Sequence, residues 1–253
     1  MPETAGNDEG GRVLSITGKV LDIFYPRHCA VCDRLLPIKE KYICHGCEKF
    51  LKYTGEDYCL KCGRPVEGAR EYCPACQRKE VSFCSGRSLF LYDAKLKESI
   101  IRFKYHGRQE YAAFYADEMY RAFGKWIEKC CPDALIPVPI HKERYRKRGY
   151  NQAEVLAREL GRCSGVPVLT EYLIRVKNTL PQKELSEKER MQNLKEAFYV
   201  RKMTQELYKN MNCVIIIDDI YTTGSTMEAC AKVLREEGIR TVYFLCISTG
   251  QGL

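Results

Sequence analysis

The stretch Val214-Ile215-Ile216-Ile217-Asp218-Asp219-Ile220-Tyr221-Thr222-Thr223-Gly224-Ser225-Thr226 carries the fold and the chemistry together. Four consecutive β-branched apolar residues predict a strand over 213–217 that is covered on both faces, as in a parallel sheet. In open α/β sheets ligands bind just beyond the carboxyl ends of strands, and the two aspartates stand at that end. Hydroxyls and a glycine turn then open into a helix expected over 225–237, so backbone N–H groups and the helix dipole favour an anion there. Carboxylates suited to sugar hydroxyls therefore lie beside a phosphate cradle. Neither G-x-x-x-x-G-K-[ST] nor G-x-G-x-x-G occurs, which removes the usual nucleoside triphosphate and dinucleotide loops.

Upstream, an apolar strand expected over 134–140 contains Ile136-Pro137-Val138-Pro139-Ile140 and runs into a basic turn. Residues 142–148 hold five Lys/Arg and one acid, a net +4 at a second strand-to-helix junction, ahead of a helix over 151–160. Such a turn suits pyrophosphate, with a solvated loop or a nucleic-acid patch as the competing accounts. Further strands are expected at 88–92, 169–176 and 241–247, and helices at 96–105 and 111–129. Strands alternating with helices after position 84 predict a parallel sheet with helices on both faces. The polar segment 177–197 is too long for an ordinary connection and reads as functional.

Ahead of position 84 the pattern is different. Cys29-x₂-Cys32-x₁₁-Cys44-x₂-Cys47 is echoed by Cys59-x₂-Cys62-x₁₀-Cys73-x₂-Cys76, a duplicated unit without the periodicity of a core. Each C-x-x-C turn offers two thiolates to one tetrahedral ion, and a second pair completes it, so the eight cysteines predict two structural zinc ions with no open position for catalysis. A redox-active C-x-x-C normally appears once, on a thioredoxin-like βα unit. Whether the ligands group in sequence or in a cross-braced manner is open at this level. Gly46 and Gly63 are expected to supply positive φ beside the ligands, and His28 and His45 to be bystanders. Cys84, Cys130, Cys131, Cys163, Cys213, Cys230 and Cys246 read as structural thiols.

The formal charge of the 253 residues is +8. Each four-thiolate zinc site carries about −2, so metallation lowers this to about +4 and weakens basicity as an argument for nucleic acid. No apolar run approaches the ~20 residues a bilayer span needs, and the start lacks a signal peptide's basic and apolar regions, so a cytoplasmic chain without membrane insertion is expected. The expected organisation is a tail with a short amphipathic helix (1–25), a double ribbon (26–83) and an α/β domain (84–253).

The thirteen residues quoted first resemble the phosphoribosyl pyrophosphate (PRPP) signature of type I phosphoribosyltransferases. The stretch P-V-P followed by R-G-Y-N-Q-A (137–153) resembles the ComF family, as do Phe103-Lys104-Tyr105 with Gly107-Arg108. So does Thr179-Leu180-Pro181-Gln182 continuing through Leu185-Ser186, Arg190, Asn193 and Ala197-Phe198. The resemblance runs from about residue 24 to 248, with no departure in the acidic pair or its loop. It implies a type I phosphoribosyltransferase fold behind a cysteine-rich double zinc ribbon. It implies further that Asp218 and Asp219 bind ribose hydroxyls. Thr222, Thr223, Gly224, Ser225 and Thr226 would take the 5′-phosphate, and Arg148 with Gly149 the pyrophosphate. A lid over 182–193 would carry Arg190; Arg190, or Lys104 from the hood, would stabilise leaving pyrophosphate, and Mg²⁺ would accompany PRPP.

Two functions follow from these readings. One is Mg²⁺-dependent transfer of a phosphoribosyl group to an unidentified acceptor, held under a hood from residues 84–108, with His106 as a candidate base. The other is a binding protein in DNA uptake, gripping single-stranded DNA or DNA-uptake proteins. There Tyr42, Tyr53, Tyr58, Tyr72 and Phe83, interleaved with Lys and Arg, would form a stacking platform. A variant in which PRPP is sensed rather than consumed fits both.

Overall fold

A computed structural model of the chain describes residues 26–37, 39–68, 70–176, 197–201 and 211–250. The helix expected over 13–25 and the lid segment 182–193 with Arg190 lie outside the described residues.

Past the cysteine-rich segment the elements are β1 (Ser85–Leu91), α2 (Ala94–Tyr105), α3 (Tyr111–Cys130), β2 (Ala134–Pro137), α4 (Lys142–Arg148) and α5 (Gln152–Ser164). They continue with β3 (Leu173–Arg175), β4 (Phe198–Val200), β5 (Cys213–Tyr221), α6 (Ser225–Glu236) and β6 (Thr241–Thr249). A short α1 (Pro74–Arg78) precedes them. The sheet order is β1-β6-β5-β2 with every pair parallel. It is the parallel sheet with helices on both faces that alternating elements predict.

Side-chain alternation along β5 explains the layers. Ile215 and Ile217 point into one core with Leu89, Phe103, Tyr115 and Leu156 from β1, α2, α3 and α5. Val214 and Ile216 point into the other, with Phe244, Met227, Leu234 and Phe198. Being apolar at both parities is what lets this strand sit in the middle, each buried Val or Ile contributing about 2 kcal/mol. Local chemistry sets the helix ends. Asp93 accepts from Leu96 N at 2.9 Å to cap α2, and Asn151 accepts from Ala153 N at 3.1 Å to cap α5. Gly149 and Gly165 close α4 and α5 in left-handed conformations, φ 81° and 74°.

The structure corrects three expectations. The basic turn is a helix, α4, because Lys-Glu-Arg-Tyr-Arg-Lys-Arg are good helix formers stopped by Gly149. Of the apolar segment 169–176, only its first residue reaches the main sheet, Leu169 N donating to Leu135 O of β2 at 2.9 Å beside a single Val168–Leu135 bridge, whereas β3 pairs antiparallel with β4. Strand β5 continues through both aspartates to Tyr221, so the acids are in its last turn of pleat rather than beyond it.

The two ribbons repeat at the level of single hydrogen bonds. Cys29 N to Arg34 O (2.8 Å) matches Cys59 N to Arg64 O (2.7 Å), and Asp33 N to Cys29 O (2.9 Å) matches Gly63 N to Cys59 O (2.8 Å). Asp33 and Gly63 share a left-handed conformation, φ 63° and 70°. Gly46, expected to need positive φ, does not have it; the 3₁₀ turn His45–Phe50 passes through it.

Candidate functional site

The cysteines group in sequence: Cys29, Cys32, Cys44 and Cys47 form one tetrad, and Cys59, Cys62, Cys73 and Cys76 the other, with the four sulfurs of each within 4.8 Å of one another. The Cys32–Cys44 and Cys62–Cys73 sulfur separations are both 3.7 Å. Two thiolates on one tetrahedral zinc, at Zn–S about 2.3 Å, stand about 3.8 Å apart, so both tetrads have the spacing of a closed structural zinc site. His28 faces Arg108 and His45 faces Glu48, both outside the tetrads. Each tetrad is fastened to a different wall of the α/β domain. The first is gripped by α2 and the turn after it: Ser99 donates to Ala30 O, Arg102 to Val31 O, and Arg108 forms a bidentate pair with Asp33 at 2.9 and 3.2 Å. The second is packed into the sheet's other core with Phe83, Tyr221 and Phe244.

The acidic pair opens into a cavity of about 270 Å³ at the carboxyl ends of β2 and β5. Four cations line it: Lys104 from α2, Arg144 and Arg148 from α4, and Arg175 from β3. Lys104 Nζ stands 2.8 Å from Asp219 Oδ1, and Gln152 Nε2 donates to Asp219 Oδ2 at 2.9 Å. Arg148 donates to Gln152 Oε1 at 2.7 Å and to the Tyr105 hydroxyl at 2.9 Å, with its guanidinium over the Tyr105 ring. The Asp219 carboxylate is thus oriented by two side chains, one of them held in turn by Arg148. Burial, and then the neighbouring Asp219 charge, pushes the Asp218 carboxyl up to about 7. Burial works against the Lys104 ammonium, but the Asp219 carboxylate outweighs it and the pKa is raised. Burial and the nearby Arg144 lower that of Arg175.

Beside this cavity Gly224, φ 81°, caps the start of α6. The Thr223 and Ser225 hydroxyls are 2.9 Å apart. Of the expected phosphate loop Thr226 lines the cavity, while Thr222, Thr223, Gly224 and Ser225 form the turn next to it. Gly149 closes the helix that presents Arg148. His106 is exposed at the end of α2 and is not among the cavity residues. Arg175 and the orienting role of Gln152 were missed at the sequence level. Arg175 ends an apolar run that reads only as a strand, and Gln152 shows itself solely as part of the R-G-Y-N-Q-A stretch.

A double zinc ribbon domain model matches residues 20–77. Competence protein F of Haemophilus influenzae is 33% identical over 223 residues, 87% of this chain and 95% of its own length. Competence protein ComFC of Bacillus subtilis is 31% identical over 242 residues, 92% and 94% of the two lengths. DNA utilization protein YhgH of Salmonella typhimurium is 28% identical over 229 residues, 88% and 96%. A purine phosphoribosyltransferase structure from Pyrococcus horikoshii aligns with 53% of this chain and 72% of its own, at 18% identity and a TM-score of 0.33. The protein is thus a double zinc ribbon joined to a parallel α/β domain with an acidic, cation-lined cavity. Its relatives match along nearly their whole length, and the chain belongs to the ComF family.

Proposed function

We propose that the chain binds PRPP with Mg²⁺ in the Asp218–Asp219 cavity and transfers its phosphoribosyl group to an acceptor. The observation that carries this reading is the convergence of two carboxylates and four cations on one strand-end cavity, next to a hydroxyl-rich turn that opens a helix. Asp218 and Asp219 accept hydrogen bonds from the ribose 2′- and 3′-hydroxyls, Asp219 being held in place beforehand by Lys104 and Gln152. Residues 222–226 donate N–H and O–H to the 5′-phosphate. Arg144, Arg148 and Arg175 take the pyrophosphate, whose charge grows as the bond from C1′ to its oxygen breaks and the bond from C1′ to the acceptor nucleophile forms. The Asp218 carboxylate, which lines the same cavity, would hold a magnesium ion beside the pyrophosphate. Bound there, Mg²⁺ supplies charge neutralisation to the leaving group.

The test is thermal unfolding of the zinc-loaded chain. PRPP with Mg²⁺ is expected to raise Tm by about 5 °C or more at a hundredfold excess over Kd, and ATP with Mg²⁺ to leave it unchanged. Equal shifts from both ligands contradict the reading. Pyrophosphate release on adding candidate acceptors then separates transfer from sensing.

A second reading, binding of single-stranded DNA in DNA uptake, is favoured by the names of the competence and DNA utilization relatives. Rings on the ribbons also carry cations: Lys41 over Tyr42 at 4.4 Å, Lys49 over Phe50 at 5.3 Å and Arg87 over Tyr58 at 4.1 Å. Backbone-driven DNA binding falls steeply between 50 and 200 mM salt, whereas a metal-dependent PRPP site does not.

A further inference from the structure

The second ribbon is built into the support of the 222–226 loop. Its turn meets β1 directly: Gly86 N donates to Lys61 O at 2.7 Å, and a Cβ on Gly63 would lie 2.5 Å from Gly86 O. A Cβ on Gly86 would in turn fall 2.1 Å from the Phe244 ring. Phe244 meets Phe83 in a T-shaped pair at 5.0 Å and stacks on Tyr221 at 4.8 Å with the rings 9° apart. Tyr221 then meets the loop, since a Cβ on Gly224 would stand 2.5 Å from the Tyr221 hydroxyl. Arg64, two residues past Cys62, lies over the Tyr221 ring at 5.1 Å. On a second route Ser82 gives its N–H and hydroxyl to the Glu228 carboxylate, at 2.7 and 2.6 Å, in the first turn of α6. The first ribbon leads elsewhere, to α2 and α3.

From this stack we infer that Arg64 and Tyr221 are positioning residues through which zinc in the Cys59-Cys62-Cys73-Cys76 tetrad holds the 222–226 loop in its anion-binding form. Zinc at this tetrad and an anion at the loop therefore stabilise one another. The physical reason is ordering entropy. A loop fixed in advance does not have to be immobilised when the anion arrives, whereas one left loose must be ordered at the expense of affinity. Linkage makes the effect reciprocal, so ligand at the loop tightens zinc at this tetrad by the same factor. The identity of the anion as the PRPP 5′-phosphate rests on the function proposed above; the coupling itself does not.

The repeat supplies an internal control, because Arg34 occupies in the first ribbon the position of Arg64 in the second. The experiment uses the full, zinc-loaded chain as parent, Arg64→Gln and Arg34→Gln. It reads amide hydrogen exchange at 222–226, affinity for PRPP and for ribose 5-phosphate, and zinc affinity by chelator competition. Arg64→Gln is expected to keep two zinc ions, raise exchange at 222–226 about tenfold and weaken both ligands about tenfold, while Arg34→Gln changes none of these. Saturating ligand should raise zinc affinity at one of the two sites in the parent, and by less in Arg64→Gln. Unchanged loop exchange in fully metallated Arg64→Gln overturns the inference, as does an equal effect of Arg34→Gln. A parent that binds neither ligand but shows the exchange difference contradicts the PRPP reading and the zinc–anion coupling, and upholds only the positioning of the loop by Arg64.

Discussion

The Lys104 ammonium lies 2.8 Å from Asp219 Oδ1 with both side chains largely buried, and it bridges α2 to the acidic end of β5. A lysine in this place neutralises one of two adjacent carboxylates in a region short of water. Removing it leaves the buried Asp219 carboxylate without its ion-pair partner. Lys104→Met is expected to lower the unfolding free energy at pH 8 by about 3 kcal/mol in urea titrations, and Asp219→Asn in the same chain to restore part of that loss. Additive losses in the double variant would show that the pair is not coupled.

The Asp218 carboxyl gives the protein a pH signature. Its folded value of about 7 lies above the ordinary 3.8, so the folded chain holds a proton that the unfolded chain has already lost between those values. The stability this contributes is full below about pH 4 and is lost as pH rises through 7. Asp218→Asn should therefore gain stability relative to the parent as pH goes from 5.5 to 8, the comparison at each pH cancelling the acid sensitivity of the zinc thiolates. A gap between the two proteins that does not change with pH would contradict the assignment.

Arg175 is held beside Arg144, and its guanidinium lies over the Phe198 ring at 5.3 Å. Two guanidinium groups brought together in a half-buried cavity favour an anion between them. Arg175→Gln is expected to weaken pyrophosphate binding about tenfold in calorimetry and to leave ribose 5-phosphate within twofold. Equal losses for both would place Arg175 outside the pyrophosphate contact.

On the other wall, Arg108 fixes the first ribbon through Asp33, which also accepts from the Tyr111 hydroxyl at 2.5 Å. Arg108→Ala should cost about 2 kcal/mol and speed chelator removal of one zinc ion several-fold, with the other unchanged. Equal acceleration at both sites would argue against separate anchoring of the two ribbons.

Much of this architecture is legible in the chain because its determinants are local. The Cys-x-x-Cys spacings encode four thiolate pairs and two zinc sites, since a tight turn alone brings two thiolates to one ion, while the grouping of the pairs in sequence order is set by the fold. The run Val214–Ile217 encodes a central strand, since it is apolar at both parities. What stayed hidden depends on partners far along the chain. Nothing near Arg64 announces Tyr221, and nothing near Ser82 announces Glu228, 146 residues on, so the second ribbon's place in the sheet's core was invisible. Strand β3 reads like any apolar strand until Phe198–Val200 is known to pair with it. The charge of 142–148 masked its helical propensity, and the extension of β5 through Asp218 and Asp219 overrides the usual reluctance of aspartate in strands.

The central claim is that the acidic pair and its loop bind PRPP, and isothermal titration of PRPP with Mg²⁺ into the zinc-loaded chain tests it most directly, beside the Asp218→Asn/Asp219→Asn double variant. The account predicts one site per chain in the parent and at least a hundredfold loss of affinity in the folded, fully metallated variant. Absence of binding in the parent, or equal affinity in the two proteins, would contradict it.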